Sequence, residues 1–398
     1  MESRWILPDE IPDIIRMEGI SKTFHPSEEY YRREPALFDP ARTLAIFDGG
    51  EMVGTTATNR RTMTVPGGTL ATATISNVMV LPTHRRRGIM TRMMDHHLRD
   101  IHERGETLAA LWSSDTRIYG RFGFGISTLM EDWSIGRHDT TFSDPPVPKG
   151  RIRFVQPGQA GPVFSSVYEQ VWPFRSGMMA RNTTAWEYCL ADVEEDRHDA
   201  TRFFHAVYEV DGRPEGYILY RGHDARRELH VKELLGVTDE ATSALWSYCL
   251  SMELMARFRI RNRPVDDPLP WMLANPRGLD RRPRDGIWLR LVDVPLALAG
   301  RRYLTEGRLV LEVRDEFCKW NAGRFELTGG PGGAECRTTT ATPDLVVSAA
   351  DLGAAYMGAV TLGTLHRAGR VTARDPSVLH KADLMFSWHV QPWCPDKF

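Results

Sequence analysis

Val78-Met79-Val80-Leu81-Pro82-Thr83-His84-Arg85-Arg86-Arg87-Gly88-Ile89-Met90-Thr91 is the stretch from which the fold is read. A β-branched strand runs into a basic turn with one glycine, and a helix opens at once. Ile89, Met90, Met93, Met94, His97, Leu98 and Ile101 then recur at helical spacing on one face, until Gly105 ends the run. Free backbone N–H groups at a helix N-terminus, backed by the macrodipole, bind phosphate. Gly88 lets the chain pass close to such a group, and Arg85, Arg86 and Arg87 add cationic donors. The blander alternative is a solvated basic turn capping an amphipathic helix. The order strand, basic turn, glycine, helix favours pyrophosphate.

Working outward, two hairpin signatures precede this unit. Leu44–Phe47 and Met52–Thr58 flank Asp48-Gly49-Gly50-Glu51, and Thr62–Val65 and Thr69–Leu81 flank Pro66-Gly67-Gly68. After the helix, Thr107–Trp112 reads as a buried strand and Ile118-Tyr119 as a short helical stretch. The stretch from about 132 to 150 is polar and rich in Pro, Asp and Gly, and is read as a linker. A second run of strands and helices begins at Arg151 without a glycine-rich turn. From Asp285 the style changes again, with short strands, small helices and a non-helical end, Gln391 to Phe398.

Composition sets the outer limits. A chain of 398 residues suits two or three domains, and 42% hydrophobic with 26% charged residues is ordinary globular usage. A net charge of −2 gives no electrostatic footprint for nucleic acid. The N-terminus lacks a signal-peptide pattern, and no apolar run is long enough for a membrane span. Five scattered cysteines without CxxC spacing suit reduced thiols in a cytoplasmic protein better than disulfides or zinc. His96, His97 and His102 share one helix without an i, i+4 pair, so no metal is expected there. His84 is as much a surface histidine as a phosphate-side donor. Glu28 and Glu29, beside Tyr30 and Tyr31, read as a solvated helix face before a pocket for cations.

Arg85-Arg86-Arg87-Gly88-Ile89-Met90 resembles the [Gln/Arg]-x-x-Gly-x-[Gly/Ala] turn of GNAT acetyltransferases, with Met90 in place of the small residue. Pro82-Thr83-His84-Arg85-Arg86-Arg87-Gly88, with Ile118-Tyr119-Gly120-Arg121-Phe122-Gly123-Phe124-Gly125, is similar to the Eis (enhanced intracellular survival) family, which tolerates a bulky residue at that position. Asp267-Pro268-Leu269-Pro270, Gly286-Ile287-Trp288-Leu289-Arg290 and Asp293-Val294-Pro295 extend the likeness over nearly the whole chain.

The resemblance implies an α/β fold of tandem GNAT-like domains followed by an α+β sterol-carrier-protein-like domain. Their expected bounds are 1–140, 150–284 and 285–398. It implies a hexamer that uses acetyl-CoA to acetylate primary amines of aminoglycosides or related polycations by direct attack. Val78, Met79 and Val80 would hold the pantetheine arm by their backbone. Arg86, Gly88, Ile89, Met90 and Thr91, with Arg85 and Arg87, would hold the phosphates. Ser114 and Asp115 would lie beside the cofactor.

Acetyl transfer to an amine needs a base for the ammonium, donors for the oxyanion and a proton for the departing thiolate. Tyr119, past the strand that comes after the phosphate turn, is assigned the acid, and the glycines near it are read as allowing close packing against the cofactor. By family resemblance the C-terminal carboxylate, here on Phe398, is the base, with its phenyl ring as anchor. A frayed terminus is the alternative. Two other functions stay open: acetylation of a protein lysine, and a non-catalytic acyl-CoA or lipid-binding module.

Overall fold

The computed structural model describes the backbone of residues 1–398 and every side chain except that of Glu195. The chain forms two compact units. One contains Met1–Thr128, Gly286–Pro392 and Lys397–Phe398, and the other Leu129–Asp285 and Trp393–Asp396.

The first unit holds two sheets. The larger has seven strands in the order Glu2–Trp5, Thr43–Asp48, Glu51–Val65, Gly68–Val80, Leu108–Trp112, Ile287–Leu291 and Gly125–Ile126. The first four form an antiparallel meander, and Gly68–Val80 pairs in parallel with Leu108–Trp112. The helix Ile89–Glu103 makes the crossover, as strand–helix–strand grammar requires. Its Ile89, Met93, Met94, His97, Leu98 and Ile101 are buried, the face that periodicity predicts.

One member of this sheet comes from far along the chain. Ile287–Leu291, read from sequence as the start of the third domain, inserts between Leu108–Trp112 and Gly125–Ile126. The smaller sheet has the order Gly333–Thr338, Gly323–Gly330, Gly307–Arg314, Leu345–Ser348 and Thr372–Ala373. The helix Ala349–Tyr356 leaves its fourth strand and packs on Ile287–Leu291 and Gly125–Ile126 so closely that a β-carbon on Gly125 would lie 1.9 Å from the Ala350 carbonyl oxygen.

The second unit is one seven-stranded sheet, in the order Leu279–Asp285, Leu129–Gly136, Arg257–Pro264, Glu228–Gly236, Arg213–His223, Phe204–Val210 and Arg151–Phe154. The polar stretch read as a linker thus begins inside a strand. Leu129–Gly136 alternates buried Trp133 and Ile135 with outward Asp132 and Ser134, and two basic strands flank it. Its acidic groups are paired there: Arg281 Nε lies 2.6 Å from Glu131 and Arg284 Nε 2.9 Å from Asp132. The main segment of this unit runs from Leu129 to Asp285.

His97 lies in the core of the first unit, with Nε2 3.0 Å from the Thr56 carbonyl oxygen. Burial pushes its pKa down from 6.5 to about 4, so it is neutral in the folded protein. Between those values the unfolded chain binds the extra proton. Stability is therefore fully present above 6.5 and falls as pH drops toward 4. The loss between pH 7 and pH 5 is about 2 kcal/mol. In His97→Gln, which keeps an N–H for Thr56, denaturation at the two pH values should show that increment gone.

Candidate active site

Two irregularities open the larger sheet of the first unit. Thr55 faces Met79 and Ala57 faces Ser76, so the strand Gly68–Val80 carries one extra residue at Asn77-Val78. Asn77 accommodates it at φ +50, in the left-handed region that asparagine tolerates. On the opposite edge the parallel pairing with Leu108–Trp112 covers only Thr72–Ile75. Beyond Ile75 the strands part, and the backbone of Val78, Met79 and Val80 has one edge without a strand neighbour. Met79 is buried and the two valines are half-buried.

The splay leads into the basic turn. Pro82–His84 makes a single 3-10 turn closed by the His84 N–H to the Leu81 carbonyl at 2.8 Å. Arg86 and Gly88 then take φ +64 and +75. The first helical bond is Arg92 N–H to the Gly88 carbonyl, at 3.1 Å. Among the described residues, the backbone N–H groups from Arg85 through Thr91 meet no acceptor. Alternating handedness points such N–H groups toward a common centre and makes an anion nest, at the positive end of a helix of 15 residues. A β-carbon at Gly88 would meet no protein atom within 4 Å, so among the protein's own atoms it is the backbone angle that selects glycine.

Arg85, Arg86, Arg87 and Thr91 are exposed, and Ile89 is buried. Met90 is half-buried, its sulfur 3.6 Å from Arg121 Nη2. His84 is tied into the preceding hairpin, with Nδ1 2.8 Å from Thr83 Oγ1 and Nε2 3.4 Å from Asp48.

Past the next strand the chain turns back at Asp115, whose carbonyl accepts the Ile118 N–H at 3.1 Å. Its carboxylate is held by Arg117 at 2.8 and 3.0 Å and by that residue's backbone N–H at 3.0 Å, which keep its pKa at about 2. Asp115 is thus a fixed anion and no proton acceptor near neutral pH. Ser114 is exposed. Tyr119 opens the 3-10 turn Tyr119–Phe122 and is only 5% exposed, edge-on to Phe124 at 6.3 Å. Burial raises its pKa above 10.0, so the phenol keeps its proton throughout the neutral range.

Two of the glycines beside Tyr119 pack against protein. Gly120 has open space around it. Gly123, at φ +80, and Gly125 are closed in by protein: their β-carbons would collide with the Arg290 guanidinium and the Ala350 carbonyl. Arg290 is fully buried. It pairs with Asp315 and donates to the Phe122 carbonyl, so it holds the turn that carries Tyr119. Sequence reasoning quotes it only within a family-like string and gives it no role; the physical signal is a lone arginine within the apolar strand Ile-Trp-Leu-Arg-Leu, 287–291.

Phe398 is half-buried and belongs to the first unit, with Tyr119 and the basic turn. Glu28 and Glu29 lie in a six-residue helix without buried residues, Glu29 paired with Arg32. Among the described residues no group of three or more His, Cys, Asp or Glu side chains could hold a metal, and no helix is long and apolar enough to cross a membrane.

A nest of free N–H groups, exposed guanidinium groups and an open strand edge fit a long thioester cofactor with a pyrophosphate at one end. The comparisons with known proteins agree. Residues 4–127 and 177–291 each match a family model described as an acetyltransferase (GNAT) domain, and residues 294–395 one described as a sterol carrier protein domain. An uncharacterised N-acetyltransferase of Streptomyces avermitilis is 37% identical over 90% of this chain and 89% of its own. The N-acetyltransferase Eis of Mycobacterium tuberculosis is 35% identical over 85% of this chain and 84% of its own. The crystal structure of Eis1 from Mycobacterium abscessus superposes with a TM-score of 0.88 at 31% identity, covering all of both chains. Two GNAT domains, a sterol-carrier-like domain and relatives at these identities make the chain an N-acetyltransferase of the Eis family.

Proposed function

We propose that the enzyme moves an acetyl group from acetyl-CoA to a primary amine of an aminoglycoside-like or other polycationic small molecule, by direct attack. Tyr119 is the general acid and the Phe398 carboxylate the general base. The observation that carries this is the run of unsatisfied N–H groups from Arg85 to Thr91 at the mouth of the splayed strands, in one unit with a buried, protonated Tyr119. GNAT acetyltransferases use acetyl-CoA, which supplies the activated acetyl group.

Each of the chain's own residues has a role that its chemistry suits. Backbone groups of Val78, Met79 and Val80 line the open edge and hold the arm that ends in the thioester. The N–H groups of Arg86, Arg87, Gly88, Ile89, Met90 and Thr91 hold its phosphates, with Arg85 adding charge. Ser114 and Asp115 flank the arm, Asp115 as a fixed anion. Tyr119 delivers its phenolic proton to the departing sulfur. The Phe398 carboxylate takes the ammonium proton, directly or through a water. Its reference pKa of about 3.5 must be raised by its surroundings for that task. The working form we propose, on the family resemblance, is a cytoplasmic homohexamer.

The test is thiol release on mixing acetyl-CoA with a panel of aminoglycosides and polyamines. Release with the polycations is expected. A chain extended by several residues past Phe398 should lose about a hundredfold in kcat, the usual worth of a positioned base. Equal release by the extended chain would overturn the role of Phe398. A mass shift on peptide lysines with none on any small amine would overturn the substrate class.

A further inference from the structure

The second unit repeats the irregularity that opens the first. Glu228–Gly236 runs parallel to Arg257–Pro264 only from Glu228 to Val231, opposite Arg257 to Ile260, and then the two part. Its antiparallel pairing on the other side breaks register between Leu219 and Tyr220, opposite Lys232, as that of Gly68–Val80 does at Asn77-Val78. The turn into the next helix is unlike its counterpart in the first unit. Thr238 caps that helix by accepting the Ala241 N–H, and Asp239 and Glu240 fill its first turn, so no anion nest remains.

The chain's own tail bridges the parted strands instead. Trp393 donates its backbone N–H to the Ser176 carbonyl at 2.8 Å and its indole N–H to the backbone and side-chain oxygens of Asn262 at 3.1 and 3.0 Å. Asn262, two residues past the last parallel pair and at φ +52, returns its amide N–H groups to the carbonyls of Cys394 and Pro395 at 3.0 and 3.3 Å. Asp396 accepts from Arg181 Nε at 2.6 Å and from the Tyr168 hydroxyl at 2.9 Å. The other two nitrogens of Arg181 hold Glu233, itself two residues past Val231 on the opposite strand, at 2.9 and 2.7 Å. The guanidinium lies over the rings of Tyr168 and Trp186, at 4.1 and 4.7 Å. Trp393 and Cys394 are 3% and 1% exposed.

We propose that this cleft, which has lost its phosphate end, is a seat for the tail of the same chain, and that Arg181 and Asp396 are positioning residues for Phe398. The pantetheine arm and a peptide present the same chemistry to parted strands, an extended chain of amides. Asp396 is fixed within the second unit, and Phe398 lies only two residues further along the chain. A terminus held so close to its last residue loses little further entropy on placing its carboxylate. This inference rests on the reading of Phe398 as the base.

The test is Asp396→Asn in the full chain, which leaves the Arg181–Glu233 pair in place. Hydrogen exchange of the peptide from Trp393 to Phe398 should quicken by about tenfold or more. With the tail loosened, kcat should fall by about tenfold while KM for acetyl-CoA stays within about twofold. Asp396→Glu, which keeps the charge, should recover part of that kcat. Unchanged exchange would overturn the seat, and quickened exchange with unchanged kcat would overturn the positioning role. Should Asp396→Asn not fold, Trp393→Phe, which removes only the indole bonds to Asn262, gives the same two readouts. The chain extended past Phe398 separates the two ideas: full kcat there removes the base, whereas the exchange result bears on the seat alone.

Discussion

Tyr119→Phe is expected to lower kcat by about a hundredfold and to leave KM for acetyl-CoA within about twofold. The substitution keeps the ring and its edge contact with Phe124, so the turn Tyr119–Phe122 stays as it is. Only the hydroxyl is lost, and with it the proton for the departing sulfur. Burial raises the phenol above its ordinary 10.0, so ionisation of Tyr119 cannot shape the rate near neutral pH. The wild-type rate should therefore show no decline from this group until above pH 10, and the variant's profile should lack that decline altogether. Full kcat in Tyr119→Phe would end the assignment of the acid.

Arg290→Met is expected to destabilise the first unit by about 3–5 kcal/mol, the usual result of stripping a buried charge of its partner. Asp315 would be left with its charge in the core, 5% exposed. Its other oxygen already accepts the N–H groups of Phe317 and Cys318, at 3.1 and 2.8 Å, so it cannot swing out to water without breaking that turn. The Phe122 carbonyl would also lose its donor. Adding Asp315→Asn removes the stranded charge while keeping an acceptor for the turn, so the double variant should regain much of the loss. Denaturant unfolding of the single and double variants reads this directly. A single-variant loss below about 1 kcal/mol would mean that the pair does not hold the Tyr119 turn.

Local signals in the sequence led correctly to the basic turn and the helix Ile89–Glu103, because a strand, a turn and a helix written in succession carry their own periodicities. Tyr119 was reached from its order after that unit. The paired strands were harder. Ile287–Leu291 is an apolar run that would read the same in either sheet of its unit, and only long-range pairing decides that it completes the larger. Leu129–Gly136 hid in a polar segment because its acids are neutralised by arginines some 150 residues away in sequence. Gly123 and Gly125 read like Gly120, because sequence shows that a side chain is missing without showing what stands in its place. Arg290 and Arg181 received no role from sequence for a related reason: the work of a buried arginine shows only once its acidic partner is seen.

The strand Ile287–Leu291 also sets a timetable. The larger sheet of the first unit is whole only when this segment takes its place beside Leu108–Trp112, and Leu129–Asp285, the main segment of the second unit, is translated in between. The site of return is prepared: the Thr128 carbonyl accepts the Gly286 N–H at 2.9 Å, and its hydroxyl accepts that of Ile287 at 2.8 Å. At ~5–20 residues per second, a nascent chain that has just made Gly125–Ile126 waits roughly ten to thirty seconds for its missing neighbour. During that interval Leu108–Trp112 has a bare edge, the kind of surface that recruits chaperones or pairs wrongly with another ribosome's product.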